Sequence, residues 1–581
     1  MPITLIRRWL LALAALSLLA AGCGGGGDAD SSDSPSGSGD AIDVEGADDD
    51  LIEEAQAAND EQETGTNTAD AGGEGDQVGG VTEVEEGRVV EGGSIVYGID
   101  TDGTGFNTLD AITPGSIRMI VPVVESLTQI LANGDWAPLL AEDLTPNDDF
   151  TVWTIHLREG VVFHDGTPLD AEAVKANLLA FKNSPNVGFV MSYVDEYVVV
   201  DDLTVEVRML QPWATYPNSL TAQGGWMVSP STIGQVDHAV GTGAFEMIEW
   251  RPGDGASYER FEDYWRAEEG IPTLDALEIK VIPESAARRQ ALEAGDIQAY
   301  ASPSDIDLLD FLASDDVNVY QSGLGGNEFL LVPNLKVAPM DDVRIRRALA
   351  HALDRDLLIE TFRTGLTEKA SSYFEPNSRW YVETDYPDYD MATAQALVAE
   401  YEAENGPASF TMSSSNREST VEVVEFMISF WEEAGIEVEL ELVDPSAIVT
   451  RVIVDDFQLM TWAQFSAADP DAEWVFFNSL GGTSFLNWSN HDIAAIDAAF
   501  DAGRSTDDFD TRFEAYAEIQ RLFAEHMIVL WIDHLSGSEG VVSSADIEGL
   551  NAARFPDGEE GAGVVAGSFH SYAGIYYVNE E

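Results

Sequence analysis

The chain is 581 residues long and 45% hydrophobic, with 105 acidic residues against 28 basic ones and a formal net charge of −77. Such a balance excludes nucleic acid and other polyanions as partners, because the field of the surface repels them. A single cysteine, Cys23, excludes an intramolecular disulfide framework and any thiol nucleophile after it.

The N-terminus carries Arg7 and Arg8 ahead of a roughly 13-residue apolar run from Trp9 to Ala21, too short to span a hydrocarbon core of about 30 Å. This is a secretory signal, and residues 1–22 are expected to be removed. The stretch Leu19-Ala20-Ala21-Gly22-Cys23 resembles the lipobox of bacterial lipoproteins, which implies a lipid on Cys23 as the new N-terminus. Residues 24–91 hold 21 acids and one base, Arg88, in a Gly, Ser, Asp, Glu, Ala and Thr background. With so little to bury, such a segment cannot offset the entropy of ordering and acts as an acidic tether of about 45 Å. The 490 residues that follow keep 84 acids and 25 bases, and the whole chain has only five lysines against 23 arginines. Acidity with few lysines also fits salty surroundings, where counterions screen self-repulsion. Net charge therefore says nothing about a cationic ligand.

A body of that length exceeds one core, so at least two lobes are expected. Thr151 to Leu157 alternates, placing Trp153, Ile155 and Leu157 on one face and His156 on the other, and Asp165-Gly166 marks a turn. A helix is predicted from Asp342 to about Arg363, ending at Gly365. Ala408 to Ser414 reads as a strand. Glu418 to Glu433 follows as a helix burying Val421, Val424, Ile428 and Trp431, and Gly435 is its stop. Ile436, Val438, Leu440 and Leu442 then alternate with glutamates, so the unit is a βαβ crossover with a parallel strand pair. The body is α/β.

Enzyme signatures fail. No Gly-x-Ser-x-Gly elbow, His-Glu-x-x-His helix or Gly-x-x-x-x-Gly-Lys loop occurs, and the eight histidines are scattered. Gly241-Thr-Gly-Ala-Phe245 lacks the third glycine of a nucleotide loop. Carboxylates are too numerous for any glycosidase pair to stand out, so a secreted hydrolase is only a remote reading.

Four separated blocks do converge. They are Leu157 to Val174 with His164-Asp165-Gly166 inside it; Gly241 to Phe245 with Tyr264-Trp265 beyond; Asn334 with Asp342 to Arg355; and Asn487-Trp-Ser-Asn490 with Arg512 to Gln520. In order and spacing they resemble the bacterial extracellular solute-binding proteins of family 5, the oligopeptide, dipeptide and nickel binders of ABC importers. The resemblance implies a two-lobed periplasmic-binding-protein fold of the venus-flytrap, type II kind. Lobe one would take 92–325 and 535–581, with an extra subdomain near 131–234, and lobe two 326–534. It further implies a monomeric, non-enzymatic binder, anchored through Cys23 on the outer face of the cell membrane or in the periplasm. The binder would hand a small organic ligand to permease subunits by lobe closure.

The cleft positions carried over from that resemblance are Phe106, Asn107, Trp226, Asn334, Ser415, Arg417, Trp462, Phe465 and Asp469. Helix starts such as Ser415 to Arg417 offer free N–H groups to a carboxylate or hydroxyl. Peptide-binding relatives carry an amine-pairing Asp three residues after the tryptophan of the Trp462 loop, where this chain has Phe465. Asp469 or Asp471 could replace it only if the loop folds differently. A peptide is the expected ligand, with an oligosaccharide or other organic solute as alternatives and a sensory role as another. No metal or cofactor site is recognised. Cys23→Ala is expected to move the protein from the membrane pellet to the soluble envelope fraction or the medium, read by immunoblotting. A variant that stays in the pellet would remove the lipid anchor.

Overall fold

Alternating and β-branched runs decide where the sheets form. The computed structural model describes residues 89–578, except 112, 322–325, 364–366, 467, 481–485, 536–539, 551–560, 565–569 and parts of 303–315 and 445–453. Cys23, the signal, residues 24–88 of the tether and Gly365 lie outside the described residues; Val89–Val90, expected within the tether, instead forms a strand paired antiparallel with Tyr577 and Val578, which gives its backbone ladder partners.

A seven-stranded sheet runs in the order Val317–Gln321, Gly540–Ser544, Ala299–Ser302, Ser94–Ile99, Ala276–Val281, Gly255–Arg260, Phe245–Arg251. A six-stranded sheet runs Glu368–Lys369, Leu530–His534, Gly326–Pro333, Leu459–Ser466, Ser409–Ser415, Glu437–Val443. Every strand of the second sheet falls between Gly326 and His534. The chain therefore passes between the large sheets twice, after Gln321 and after His534. The residues that flank the two passages are paired with each other: Leu535 N–H donates to the Asn327 carbonyl at 2.6 Å, and Gln321 pairs with Gly540.

The βαβ unit forms as the pattern predicts. Ser409–Ser415 and Glu437–Val443 pair in parallel around the helix Glu418–Glu433. The helix buries Val423, Val424, Met427 and Trp431, while Val421 and Ile428 are only half-buried. Gly435 takes φ +97°, the left-handed stop that a side chain would resist. The single helix predicted from Asp342 is instead two, Val343–Ala352 and Arg355–Phe362. The break falls at Asp354, whose carboxylate accepts the Leu357 N–H at 3.0 Å and starts a new helix where the pattern alone would continue the old one.

A four-stranded sheet, in the order Ala141–Pro146, Val152–Leu157, Thr204–Met209, Val194–Asp201, falls within the range 131–234 expected of the subdomain. Trp153, Ile155 and Leu157 are buried and His156 is exposed, as their alternation requires. Among the described residues the buried core of this sheet clusters apart from that of the seven-stranded sheet, with half-buried Trp265 packing against both. One apolar cluster runs from Leu144, Ile155 and Val205 through Trp213 and Tyr216 to Trp474, Leu330 and Trp531 of the six-stranded side. A separate cluster around Tyr97, Ile279 and Tyr258 serves the seven-stranded sheet.

The short sequence blocks turn out to be joints. The His164 backbone N–H donates to the Gly241 carbonyl at 2.9 Å and its Nε2 lies 2.9 Å from the Gly243 carbonyl, fastening the first block to the second. Burial there pushes the imidazole down to about 4. Gly241 is required by contact: a Cβ built on it lies 1.9 Å from the Val123 carbonyl oxygen. Asn490 Nδ2 donates to Asn334 Oδ1 at 3.3 Å, fastening the fourth block to the third. Gly241→Ala is expected to destabilise by about 1–3 kcal/mol or more, because a backbone atom must give way. Urea unfolding measures this, and an unchanged midpoint would show that the segment can shift without cost.

Candidate functional site

Antiparallel register fixes which side chains share a face, since directly opposed residues point the same way. Across the end of the six-stranded sheet nearest the two passages, Gln464 opposes Glu328, Glu328 opposes His534 and His534 opposes Glu368. The result is a polar row over four strands. Glu328 is 0% exposed, and Gln464 and His534 are 3% exposed. His534 Nδ1 stands 3.6 Å from Glu328 Oε1. Burial pushes the imidazole below its ordinary value, with nearby acids opposing.

One row deeper on that face is Trp462, opposite Leu330. Its Nε1 donates to Gln464 Oε1 at 3.0 Å, and Gln464 Nε2 donates to Glu473 Oε2 at 3.2 Å. The half-buried Trp462 ring lies 5.0 Å from Trp488, which stacks on Phe476 at 5.4 Å. An aromatic shelf thus leads into an acidic floor.

The loop after the Leu459–Ser466 strand is held by two buried ion pairs. Asp469 accepts from Arg512 through both carboxylate oxygens, at 2.7 and 2.8 Å, and also caps the Asp471 N–H. Asp471 binds Arg504 at 2.7 and 3.1 Å and accepts from Trp213 Nε1 at 2.8 Å and Thr215 Oγ1 at 2.6 Å, both on the subdomain. The Arg504 guanidinium lies 4.1 Å from the Trp474 ring centre, 4.5 Å from that of Trp213 and 4.6 Å from that of Tyr193. Burial would raise the Asp471 carboxyl, but Arg504 and the two donors hold it below its ordinary value. Both acids once available as replacement amine anchors are therefore spent on arginines. Asp469, expected as a ligand contact, is engaged within the protein, its Oδ1 by Arg512 and the Asp471 N–H and its Oδ2 by Arg512.

The remaining expected residues scatter. Phe106 is a core ring, 1% exposed and 5.9 Å from Trp250, because aromatic packing offers it more than a cleft wall would. Asn107 closes a local turn, its Oδ1 accepting the Leu109 N–H at 3.1 Å and its amide donating to Asp110. Trp226, 9% exposed, packs in the seven-stranded core. Asn334 is 1% exposed and donates to the Phe457 carbonyl at 3.1 Å. Ser415 is buried and accepts the Arg417 N–H at 3.3 Å, while Arg417 is exposed at the helix start. Phe465 lies in its strand opposite Asn327, and its side chain is outside the described residues. Of the expected positions whose side chains are described, Trp462 is the one that hydrogen-bonds a member of the polar row, Gln464. Glu328, Gln464, Glu473 and His534 were missed. Their one signal was a polar residue breaking an apolar strand, as Glu328 does ahead of Phe329-Leu-Leu-Val332.

Arg504→Met leaves Asp471 charged and unpaired in the interior, and about 3–5 kcal/mol of destabilisation is expected, partly recovered in the double variant Arg504→Met with Asp471→Asn. Denaturant unfolding of both checks it. With Asp471 held low, the contribution of the pair is whole above about pH 4 and fades only in stronger acid.

Residues 135–487 match the family model described as bacterial extracellular solute-binding proteins, family 5 Middle. The glutathione-binding protein GsiB of Pectobacterium atrosepticum is 27% identical over 350 residues, 58% of this chain and 67% of that protein. The oligopeptide-binding protein AppA of Bacillus subtilis, solved with a nonapeptide, superposes with a TM-score of 0.70 at 21% identity, covering 85% of this chain and all of the other. AgaA of A. tumefacien R10, solved with agropinic acid, gives a TM-score of 0.72 at 19% identity over 84% of this chain and 99% of the other. The two large sheets with two adjacent passages are thus the two-lobed binding-protein fold. The chain belongs to the bacterial extracellular solute-binding proteins of family 5.

Proposed function

We propose that this protein is an extracytoplasmic lipoprotein that binds a peptide and presents it to the permease of an ABC importer. The observation that carries the reading is the family match over residues 135–487. The names of the relatives support the ligand class: glutathione is a tripeptide, and AppA was solved with a nonapeptide. Agropinic acid in AgaA favours another small organic solute as the second reading.

The mechanism follows from topology. A segment joined to the rest by two adjacent passages can rotate about them while both sheets stay intact. Lobe two is taken as 326–534, and lobe one as 92–325 with 535–581. In the conformation described, Asp471 and Arg504 reach from lobe two to Trp213, Thr215 and Tyr193 of the subdomain, so the subdomain meets lobe two directly. A ligand that touches both lobes favours a shut arrangement over an open one, and the permease reads the difference. No bond is made or broken. Delivery from the membrane face is assigned to the signal, Cys23 and the acidic tether.

Native mass spectrometry of the purified protein tests the reading. A bound mass identified as a peptide, recovered unchanged after long incubation, is the expected outcome. Cleavage of the ligand, or no uptake from a peptide digest, would overturn it, and uptake of a non-peptide solute would move it to the second reading.

A further inference from the structure

Glu473 is the acid that the fold leaves unexplained. It sits on the single turn Pro470–Glu473, is 2% exposed, and shares its environment with the fully buried Glu328. Its Oε2 accepts from Gln464, and its Oε1 meets no hydrogen-bond partner. No lysine or arginine among the described residues forms an ion pair with it, and the arginines of the region are committed: Arg504 to Asp471, Arg512 to Asp469, Arg363 to Asp533. His534 Nδ1, 3% exposed, is likewise without a hydrogen bond and faces Glu328 from the other side. Two nine-tenths-buried polar side chains on different elements, each with an atom that lacks a hydrogen bond, therefore neighbour Glu328.

A buried carboxylate without a cation is expensive, and the cost disappears when a positive group arrives. Burial and the neighbouring Glu328 push the Glu473 carboxyl well up, the direction in which an uncompensated buried charge is disfavoured. The location suits an arriving group. Glu328 is two residues from one passage between the sheets, His534 ends the strand at the other, and Trp462 supplies an apolar wall through its bond to Gln464. Asp469 and Asp471, the other acids of the loop, are already paired with Arg512 and Arg504.

We propose that Glu473 and Glu328, with Gln464 and His534, form a subsite for a cationic group of the ligand, an ammonium or guanidinium. The ammonium would donate to Glu473 Oε1 and share the field of Glu328, while the adjoining methylene groups lie against Trp462. The assignment rests on the solute-binding reading and names the chemistry its ligand must carry. It places recognition of positive charge on the single turn after the Trp462 strand rather than at the Phe465 position.

Calorimetry on the purified full chain tests it with two pairs of probes. One pair is Ala-Lys-Ala against Ala-norleucine-Ala, which differ by the side-chain ammonium; the other is Ala-norleucine-Ala against its N-acetyl form, which differ by the α-ammonium. The charged member of at least one pair is expected to bind about 10-fold or more tightly, the scale of a hydrogen bond to a charged partner. Glu473→Gln should reduce that preference to below about 3-fold and leave the unfolding midpoint of the empty protein unchanged or higher. Glu328→Gln is the second variant should the first fail to fold. No preference in either pair, no binding of any charged probe, or a preference that survives both variants would overturn the subsite. In the first two cases, a different solute found by native mass spectrometry would leave the solute-binding reading standing.

Discussion

Two arginines, Arg504 and Arg512, sit in the interior with their charges met by Asp471 and Asp469 on one short loop, and much of the molecule is arranged around that exchange. Removing either side would strand a charge where water cannot reach it. Because Asp471 also accepts from Trp213 and Thr215, the same carboxylate ties the loop to the subdomain. The aromatic box of Tyr193, Trp213 and Trp474 around Arg504 then makes one continuous apolar core out of two sheets distant in sequence. Such pairs confer specificity more than net stability, since hydrophobic replacements can be as stable. Here the specificity is geometric: they fix the turn that follows the Trp462 strand.

That constraint shapes the site. With Asp469 and Asp471 engaged, the chain from Pro470 to Glu473 is held so that Glu473 accepts from Gln464 and lies within the field of Glu328. The polar row exists because four strands stop in register beside the two passages. Side chains on one face of adjacent strands stand within reach of each other, and none of the row is local in sequence.

The short blocks by which the family is recognised have a different physical meaning. His164 against Gly241 and Gly243, Asn334 against Asn490, and Arg346 against the carbonyls of Met340 and Met527 are places where backbone from distant segments must be satisfied in the interior. A buried carbonyl tolerates few donors, and a close approach tolerates only glycine. These sites tie backbone segments distant in sequence to one another.

Sequence by itself determined the strand Val152–Leu157, the βαβ unit, the Gly435 stop and the α/β class, because each rests on period-two or period-3.6 burial or on one residue's backbone freedom. It also pointed to the family and to Trp462. It misjudged the helix that Asp354 divides, since a cap competes with a periodic pattern only once its carboxylate finds an N–H. It placed Phe106 and Trp226 in a cleft, when burial in a core and exposure in a cleft look alike in an apolar residue read alone. Only the tertiary structure decided that Asp469 pairs with Arg512, that the core of the four-stranded sheet runs into the six-stranded side, and that Glu328, Gln464 and His534 share a row which Gln464 links to Glu473. Each of those outcomes depends on register and on partners 9 to more than 200 residues apart, and a pattern within one segment carries no information about which distant charge will face it.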